Sequence, residues 1–367
     1  MRVAVAMSGG VDSSVAASIL VEQGYNVVCL TMRLLDLKGE EGGAPRCCSP
    51  KDIGDARRVA AQLGIPAYVI DMREEFRKRI GEYFFSSYLQ GKTPNPCILC
   101  NSELKFGTLL RKALEIGADK IATGHYARIE FSESFGRFLL KRGIEASKDQ
   151  AYFLFNLDQE QMARTIFPVG EMTKEEVREK ARCIGLKVAE KEESQDICFS
   201  PGGDCRSYIR HVIEDKPGEI IDSSGLVLGS HRGIHHFTIG QRRGIGIAHP
   251  RPLYVLRIEP ERNRVVVGEA EELYEKSLLV HGTNWISWEE PPMEFRTTVK
   301  IRSTHRGEPA LVRRVLNQLW RVEFDETVRG IAPGQAAVFY DGDTVIGGGW
   351  ISIMGSEDIG VDRESLF

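Results

Sequence analysis

Val3-Ala4-Val5-Ala6-Met7-Ser8-Gly9-Gly10-Val11-Asp12-Ser13-Ser14 is the stretch on which the reading of this chain turns. An apolar run meets a glycine pair, and Val15 to Gln23 then runs on to Gly24. That order predicts a strand, a tight turn, an amphipathic helix and a helix-ending glycine. Adjacent glycines let the backbone take positive φ and approach a ligand closely. The hydroxyls of Ser8, Ser13 and Ser14 and the first free amides of the helix face one anion, aided by the helix dipole. A phosphate suits that place. The loop is not a Walker loop: it has no Gly-Lys-Ser/Thr, so no lysine stands ready for a γ-phosphate. It carries Asp12 instead, which phosphates repel unless Mg²⁺ bridges them. An ordinary βα turn is also rich in glycine and serine, but this density of Gly, Asp and Ser favours the phosphate.

The 367 residues are enough for two or three domains with cores. A net charge of −4 excludes a polybasic protein, so any nucleic-acid contact is a local patch. No apolar run is long enough to span a membrane, and the N-terminus enters a strand without a leader; a cytoplasmic protein is expected. Eight cysteines (29, 47, 48, 97, 100, 183, 198 and 205) make no disulfide scaffold in a chain of this size. Cys29 and Cys183 sit in apolar patterns and read as core.

The first 200 residues alternate strand and helix. Strands are expected at 25–31, 67–70 and 120–123, and helices at 49–63, 73–90, 106–116 and from Thr173, where Lys174-Glu175-Glu176 gives a capping-box start. The alternation predicts a doubly wound parallel sheet, with ligands beyond the carboxyl ends of its strands. Met32, Gly124 and the Ser8–Ser14 loop are expected to converge on one crevice there. Residues 130–142 read as a hairpin. After Pro201 short β-rich runs alternate with turn signals, and a compositional break at 270–284 divides this half. The expected domains are therefore 1–200, a nucleotide-binding α/β domain; 201–275, a central β-rich domain; and 276–367, a C-terminal β-barrel.

The second informative stretch is Thr93-Pro94-Asn95-Pro96-Cys97-Ile98-Leu99-Cys100-Asn101. Its cysteines fall three apart, as in a metal knuckle or a redox pair. There is no second CxxC for a four-thiolate zinc site. The remaining partner is Cys198, in Asp196-Ile197-Cys198-Phe199. Cys97, Cys100 and Cys198 could hold an iron–sulfur cluster with one open iron. Alternatively Cys100 and Cys198 could act as nucleophile and sulfur carrier, or Cys198 could be a buried neighbour of Ile197 and Phe199. Cys47-Cys48 is adjacent and ill suited to one metal; Cys205 reads as incidental.

Taken together, these residues resemble the bacterial tRNA-specific 2-thiouridylase family of the PP-loop ATP pyrophosphatase superfamily. The resemblance runs from Ala6–Ser13 and Thr93–Asn101 through Ala122-Thr123-Gly124-His125-Tyr126, Lys148-Asp149-Gln150 and Ser194 to Phe199. It continues through His236-Phe237-Thr238-Ile239-Gly240-Gln241-Arg242-Arg243-Gly244 and Pro333 to Tyr340. It implies a PP-loop domain, ATP with Mg²⁺, and 2-thiolation of the wobble uridine of tRNA through an adenylate. Ala6, Met7, Ser8, Gly9, Gly10, Val11, Asp12, Ser13, Met32 and Gly124 would hold ATP, Asp12 also acting in catalysis. Cys198 would carry a persulfide from an upstream donor such as a cysteine desulfurase or relay protein. Cys100 would be the nucleophile that releases sulfur and closes a transient disulfide with Cys198. Asn95, Pro96 and Cys97 would face the target base, and His125, Lys148, Asp149, Gln150, Arg302, Ser303 and Gln335 would touch the tRNA, bound by its anticodon loop. Many relatives have Asp in place of Cys97, which keeps a [4Fe-4S] cluster on Cys97, Cys100 and Cys198 as the alternative to the persulfide. The family's Arg-Tyr-Arg run is here Arg302-Ser303-Thr304-His305-Arg306.

The chemistry is coherent. A carbonyl oxygen leaves poorly until it is carried off as AMP, after which a soft sulfur nucleophile displaces it. A base in a single-stranded loop is the easiest to extrude. Between Arg296 and Arg321 seven Lys/Arg face one acid, Glu308, a surplus of six, and Arg242, Arg243, Arg251 and Arg257 form a second group; such patches bind phosphates in a salt-dependent way. A solvated strand face is the blander reading. Two other functions share parts of the pattern. An amidating ATP-pyrophosphatase ligase uses the glycine loop but not Cys100 and Cys198. A non-enzymatic RNA-binding iron–sulfur carrier uses the thiols but not the loop.

Overall fold

The computed structural model describes residues 1–35, 50–191, 212–316 and 318–352. Its N-terminal sheet is built from β1 (Arg2–Ala6), β2 (Asn26–Arg33), β3 (Ala67–Asp71), β4 (Lys120–Ala122) and a two-residue strand, Thr165–Ile166. All pairings are parallel, in the order β3-β2-β1-β4 and then 165–166. The chain winds outward from β1 in one direction and from β4 in the other, so the switch point lies between those two strands. Alternation along β1 shows both faces covered. Val3 and Val5 enter a cluster with Val15, Leu20 and Val59, while Ala4 enters the opposite one with Phe84, Phe106 and Ile121.

Helix α1 (Val11–Glu22) begins four residues before the expected amphipathic run and is buried almost all round: Val11, Ser13, Ser14, Val15, Ala16, Ala17, Ser18 and Leu20 are inside. Its small residues let it lie close against the sheet. Helix α2 (Pro50–Gln62) has Pro50 in its first turn, where the missing N–H costs nothing.

Two differences from the sequence reading concern helices. The helix expected from Phe106 starts instead at Pro96, because proline at a first helical position is favourable rather than disruptive. It continues as a π-helical stretch, Cys100–Leu109, into Leu110–Glu115. Met32 lies within β2, not beyond it. The capping box at Thr173 is present as read: Thr173 and Glu176 cap each other at the start of the Lys174–Cys183 helix. Cys183, at the end of that helix, is exposed and not a core residue, whereas Cys29 is fully buried and burial pushes its thiol up to about 11.

The rest of the chain is β-rich. A central sheet joins Gly218–Asp222, Val227–His231, Tyr254–Glu259 and Arg264–Gly268. A closed antiparallel barrel of six strands follows: Tyr274–Trp285, Glu294–Lys300, Glu308–Leu316, Leu319–Arg329, Ala336–Asp341 and Thr344–Ser352. Its first strand fills the stretch read as a compositional break. With twelve residues it is the barrel's longest, and register shifts on both flanks hide its alternation. The hairpin Ala127–Ser132/Arg137–Arg142 leaves the N-terminal unit and extends this sheet, Leu140 pairing with Val345.

Candidate active site

The loop after β1 opens at the switch point. Gly9 has φ +74°, and a Cβ there would lie 2.3 Å from the Asp52 carbonyl oxygen, so only glycine fits. Gly10 caps α1 without any side-chain hydrogen bond, which leaves the first-turn amides turned to the crevice. The Oγ atoms of Ser8 and Ser13 are 3.5 Å apart, a spacing that one phosphate oxygen can bridge. Ser14 plays a different part from the one read in the sequence. Its hydroxyl is fully buried and donates back to the Gly10 carbonyl at 2.8 Å. Gly124, at the end of β4, lies against α1: a Cβ there would meet Ser13 N at 2.5 Å. Of the expected nucleotide residues, 6–13 and Gly124 therefore share one end of the sheet, beside Met32 near the end of the neighbouring strand.

Two lysines that the sequence does not tie to this loop stand at it. Lys174 Nζ donates to both Asp12 oxygens, at 2.7 and 2.9 Å, and Tyr126 Oη donates to Asp12 Oδ1 at 2.7 Å. Lys191 Nζ donates to the Gly9 carbonyl at 2.9 Å and to Asp52 and Asp55, each at 2.7 Å. The Asp12 charge is thus balanced from within the protein. With three of roughly four lone-pair directions taken, Asp12 can still offer one to a Mg²⁺ held mainly by phosphate oxygens.

The thiols lie on the helix that Pro96 starts. Cys100 is buried and Cys97 half-buried, one helical turn apart. Asn101, next in sequence, donates to the Phe153 carbonyl at 3.1 Å and accepts from Lys105 Nζ at 2.9 Å. Lys105 Nζ lies 3.5 Å from His125 Nε2, and His125 Nδ1 lies 2.6 Å from Thr123 Oγ1. Burial, and after it the neighbouring Lys105 charge, holds the imidazole well below its usual range, so it is neutral at pH 7. A polar path therefore runs from the cysteine helix to Thr123-Gly124 and the glycine loop. The π-helical winding begins at Cys100 itself; such widened turns recur at functional sites.

Residues 1–202, 206–269 and 275–351 match, in turn, family models described as tRNA methyl transferase HUP domain, tRNA methyl transferase PRC-barrel domain and aminomethyltransferase beta-barrel domain. The chain is 48% identical over 354 residues to the tRNA-specific 2-thiouridylase MnmA of Carboxydothermus hydrogenoformans, covering 95% of this chain and 97% of that one. It is 49% identical to the protein of the same name from Geotalea uraniireducens, covering 95% and 94%. The chain belongs to the tRNA-specific 2-thiouridylase family. A solved 4-thiouridine synthetase–RNA complex with bound ATP is more distant, at 18% identity and TM-score 0.36 over 55% of this chain and 46% of that one, too slight a likeness to argue from.

The other residues singled out in the sequence come from both the N-terminal unit and the barrel. Gln335, on the barrel, donates to the Thr93 carbonyl at 3.0 Å, and Thr93 N donates to the Pro333 carbonyl at 2.7 Å, so the barrel grips the approach to Asn95, Pro96 and Cys97. Asn95 is buried. Asp149 is turned inward, accepting from the Gly143 and Ala151 amides, and burial raises its carboxyl. Gln150 accepts from Tyr126 N at 3.0 Å, while Lys148 is half-buried. Arg302 donates to the Arg329 carbonyl at 3.0 Å, with Ser303 half-buried beside it. Three of the seven basic residues in 296–321 are ion-paired: Arg296 with Asp325, Arg313 with Glu294, and Arg321 with Glu323. Counting those three acids, the surplus of six falls to three. Cys198, with the rest of Ser194–Phe199, and Cys47, Cys48 and Cys205 lie outside the described residues. Among the described residues no helix is long and apolar enough to cross a membrane.

Proposed function

We propose that this chain is an ATP-dependent tRNA sulfurtransferase that replaces the 2-oxygen of the wobble uridine by sulfur. The uridine O2 attacks the α-phosphorus of ATP, pyrophosphate leaves into the amides and hydroxyls of the Ser8–Ser13 loop, and the base becomes an adenylate. The terminal sulfur of a Cys198 persulfide then attacks C2 and expels AMP. The Cys100 thiolate attacks Cys198 Sγ, the S–S bond breaks, and its electron pair stays on the sulfur now bound to C2. The products are 2-thiouridine and a Cys100–Cys198 disulfide, which a cellular dithiol reduces for the next cycle.

What most supports this reading is the path Asn101–Lys105–His125–Thr123, which ties the Cys100 helix to the strand end where Gly124 meets Asp12 and Ser13. Adenylation and thiol chemistry need one crevice, and the path joins the elements that would supply them. Lys174 and Lys191 fix the loop, and neutral His125 fills the wall between Phe106 and Phe167. The decisive experiment assays Cys100→Ser and Cys198→Ser separately. Each is expected to abolish thiouridine formation on a mercury-retarding gel while tRNA-dependent ATP–pyrophosphate exchange survives. Thiolation persisting in either variant would remove the role given to that cysteine. Stoichiometric iron and sulfide in oxygen-free protein would replace the persulfide with a cluster.

A further inference from the structure

The central sheet carries a cavity of about 440 Å³ that the reaction above leaves unused, bordered by Asp215, Ser230, His231, Arg232, His236 and Phe237. Beside it, the tight turn Ile234–His236 brings two consecutive imidazoles together, ring centroids 4.1 Å apart. Both point at one carboxylate: Asp215 Oδ1 lies 2.7 Å from His236 Nε2 and 3.3 Å from His235 Nε2. His235 is only 3% exposed, and of the two ring–carboxylate contacts its own is the longer. Two imidazole nitrogens and a carboxylate oxygen thus converge on one point beside the cavity.

We infer that Asp215, His235 and His236 bind a divalent first-row transition ion of the zinc type. The three donor atoms lie within 4.8 Å of one another. Tetrahedral bonds of about 2.0–2.2 Å put neighbouring ligand atoms about 3.3–3.5 Å apart. The His235–Asp215 separation already has that value, and the His236–Asp215 pair needs to open by less than an ångström. Two imidazoles and one carboxylate suit zinc-like ions rather than magnesium or calcium. Three protein ligands leave a fourth position for water on the cavity side. Arg232 borders the same cavity and would share Asp215 with the ion. Bound there, the ion clips the segment entering the central sheet, on which Asp215 lies, to the turn that follows Val227–His231.

The test uses the full chain, stripped with a chelator and titrated with Co²⁺ alone. One equivalent is expected to bind with visible d–d absorption and without near-ultraviolet thiolate-to-cobalt charge transfer, which separates this site from the cysteines. Zn²⁺ should displace it and raise the melting temperature. His235→Asn and Asp215→Asn should each weaken this binding at least tenfold, with unchanged circular dichroism, while Cys100→Ser leaves it intact. His236→Asn gives an independent check should either variant fold poorly. Absence of the thiolate-free spectrum in the wild-type chain, or its survival in the Asn variants, overturns the inference.

Discussion

Lys174 Nζ lies 2.7 Å from Asp12 Oδ1, so the helix capped by Thr173 rests its first side chain on the first turn of α1. That contact offsets the Asp12 charge at the mouth of the glycine loop. The Lys174 side chain is 10% exposed and that of Asp12 30%, which puts the pair between a surface bridge and a buried one.

Lys174→Met should therefore destabilise the chain by about 1–3 kcal/mol, below the 3–5 of a fully buried pair. It should also raise the KM for ATP, because Asp12 would then face the phosphates unopposed. Adding Asp12→Asn should restore much of the melting temperature without restoring pyrophosphate exchange. A double variant no more stable than Lys174→Met would show that the lysine acts through packing alone.

Gly124→Ala tests the contact of β4 with α1. Its Cβ would sit 2.5 Å from Ser13 N, against backbone that cannot swing aside. The expected cost is about 1–3 kcal/mol, together with a marked loss of exchange activity. Gly136→Ala is the control, since nothing lies within 4 Å there and only its φ of +62° is strained. Equal activity in the two variants would dissociate Gly124 from the nucleotide.

His125 predicts a pH dependence. Its folded-state pKa is depressed by burial and by Lys105, so between that value and its unfolded value the unfolded chain binds the extra proton. Stability from this group is present above about pH 6.5 and is lost as the pH falls below it. His231, His235, His281 and His305 are lowered too, so the whole curve will slope. Denaturant midpoints measured across pH 5 to 8 should show a shallower slope in His125→Asn than in the parent. An identical slope would mean that this imidazole titrates normally.

Gln335→Ala removes the barrel's side-chain grip on Thr93, worth about 1 kcal/mol for one hydrogen bond. The larger effect is expected on turnover, because the gripped segment leads directly into Pro96 and Cys97. Thiolation should fall several-fold at saturating ATP, with little change in the KM for ATP. A change in that KM alone would place Gln335 in a different part of the reaction.

Much of this was legible in local sequence. The β1–loop–α1 unit, the Thr173/Glu176 capping box and most barrel strands carry their signal within a few residues. Partnerships across the chain do not. Lys174 meets Asp12 across 162 positions and Lys191 meets Gly9 across 182, and nothing beside either lysine marks it. Ser13 and Ser14 look alike in the sequence and both reach the Gly10 carbonyl, but only Ser13 also meets the Ser8 hydroxyl, while Ser14 is fully buried. The charge surplus of the basic stretch in the barrel is smaller in the fold than in its window, because Glu294, Glu323 and Asp325 lie just outside that window and pair into it. Cys183 misled because its apolar neighbours face the sheet while it occupies the helix end.

The pairing of Leu140 with Val345 has an outcome for anyone who would take the molecule apart. The hairpin is a borrowed margin: expressed without the barrel, it offers a row of unmet amides and carbonyls to any passing strand. A shortened version ending before residue 275 is therefore a candidate for self-association rather than a portable nucleotide-binding module.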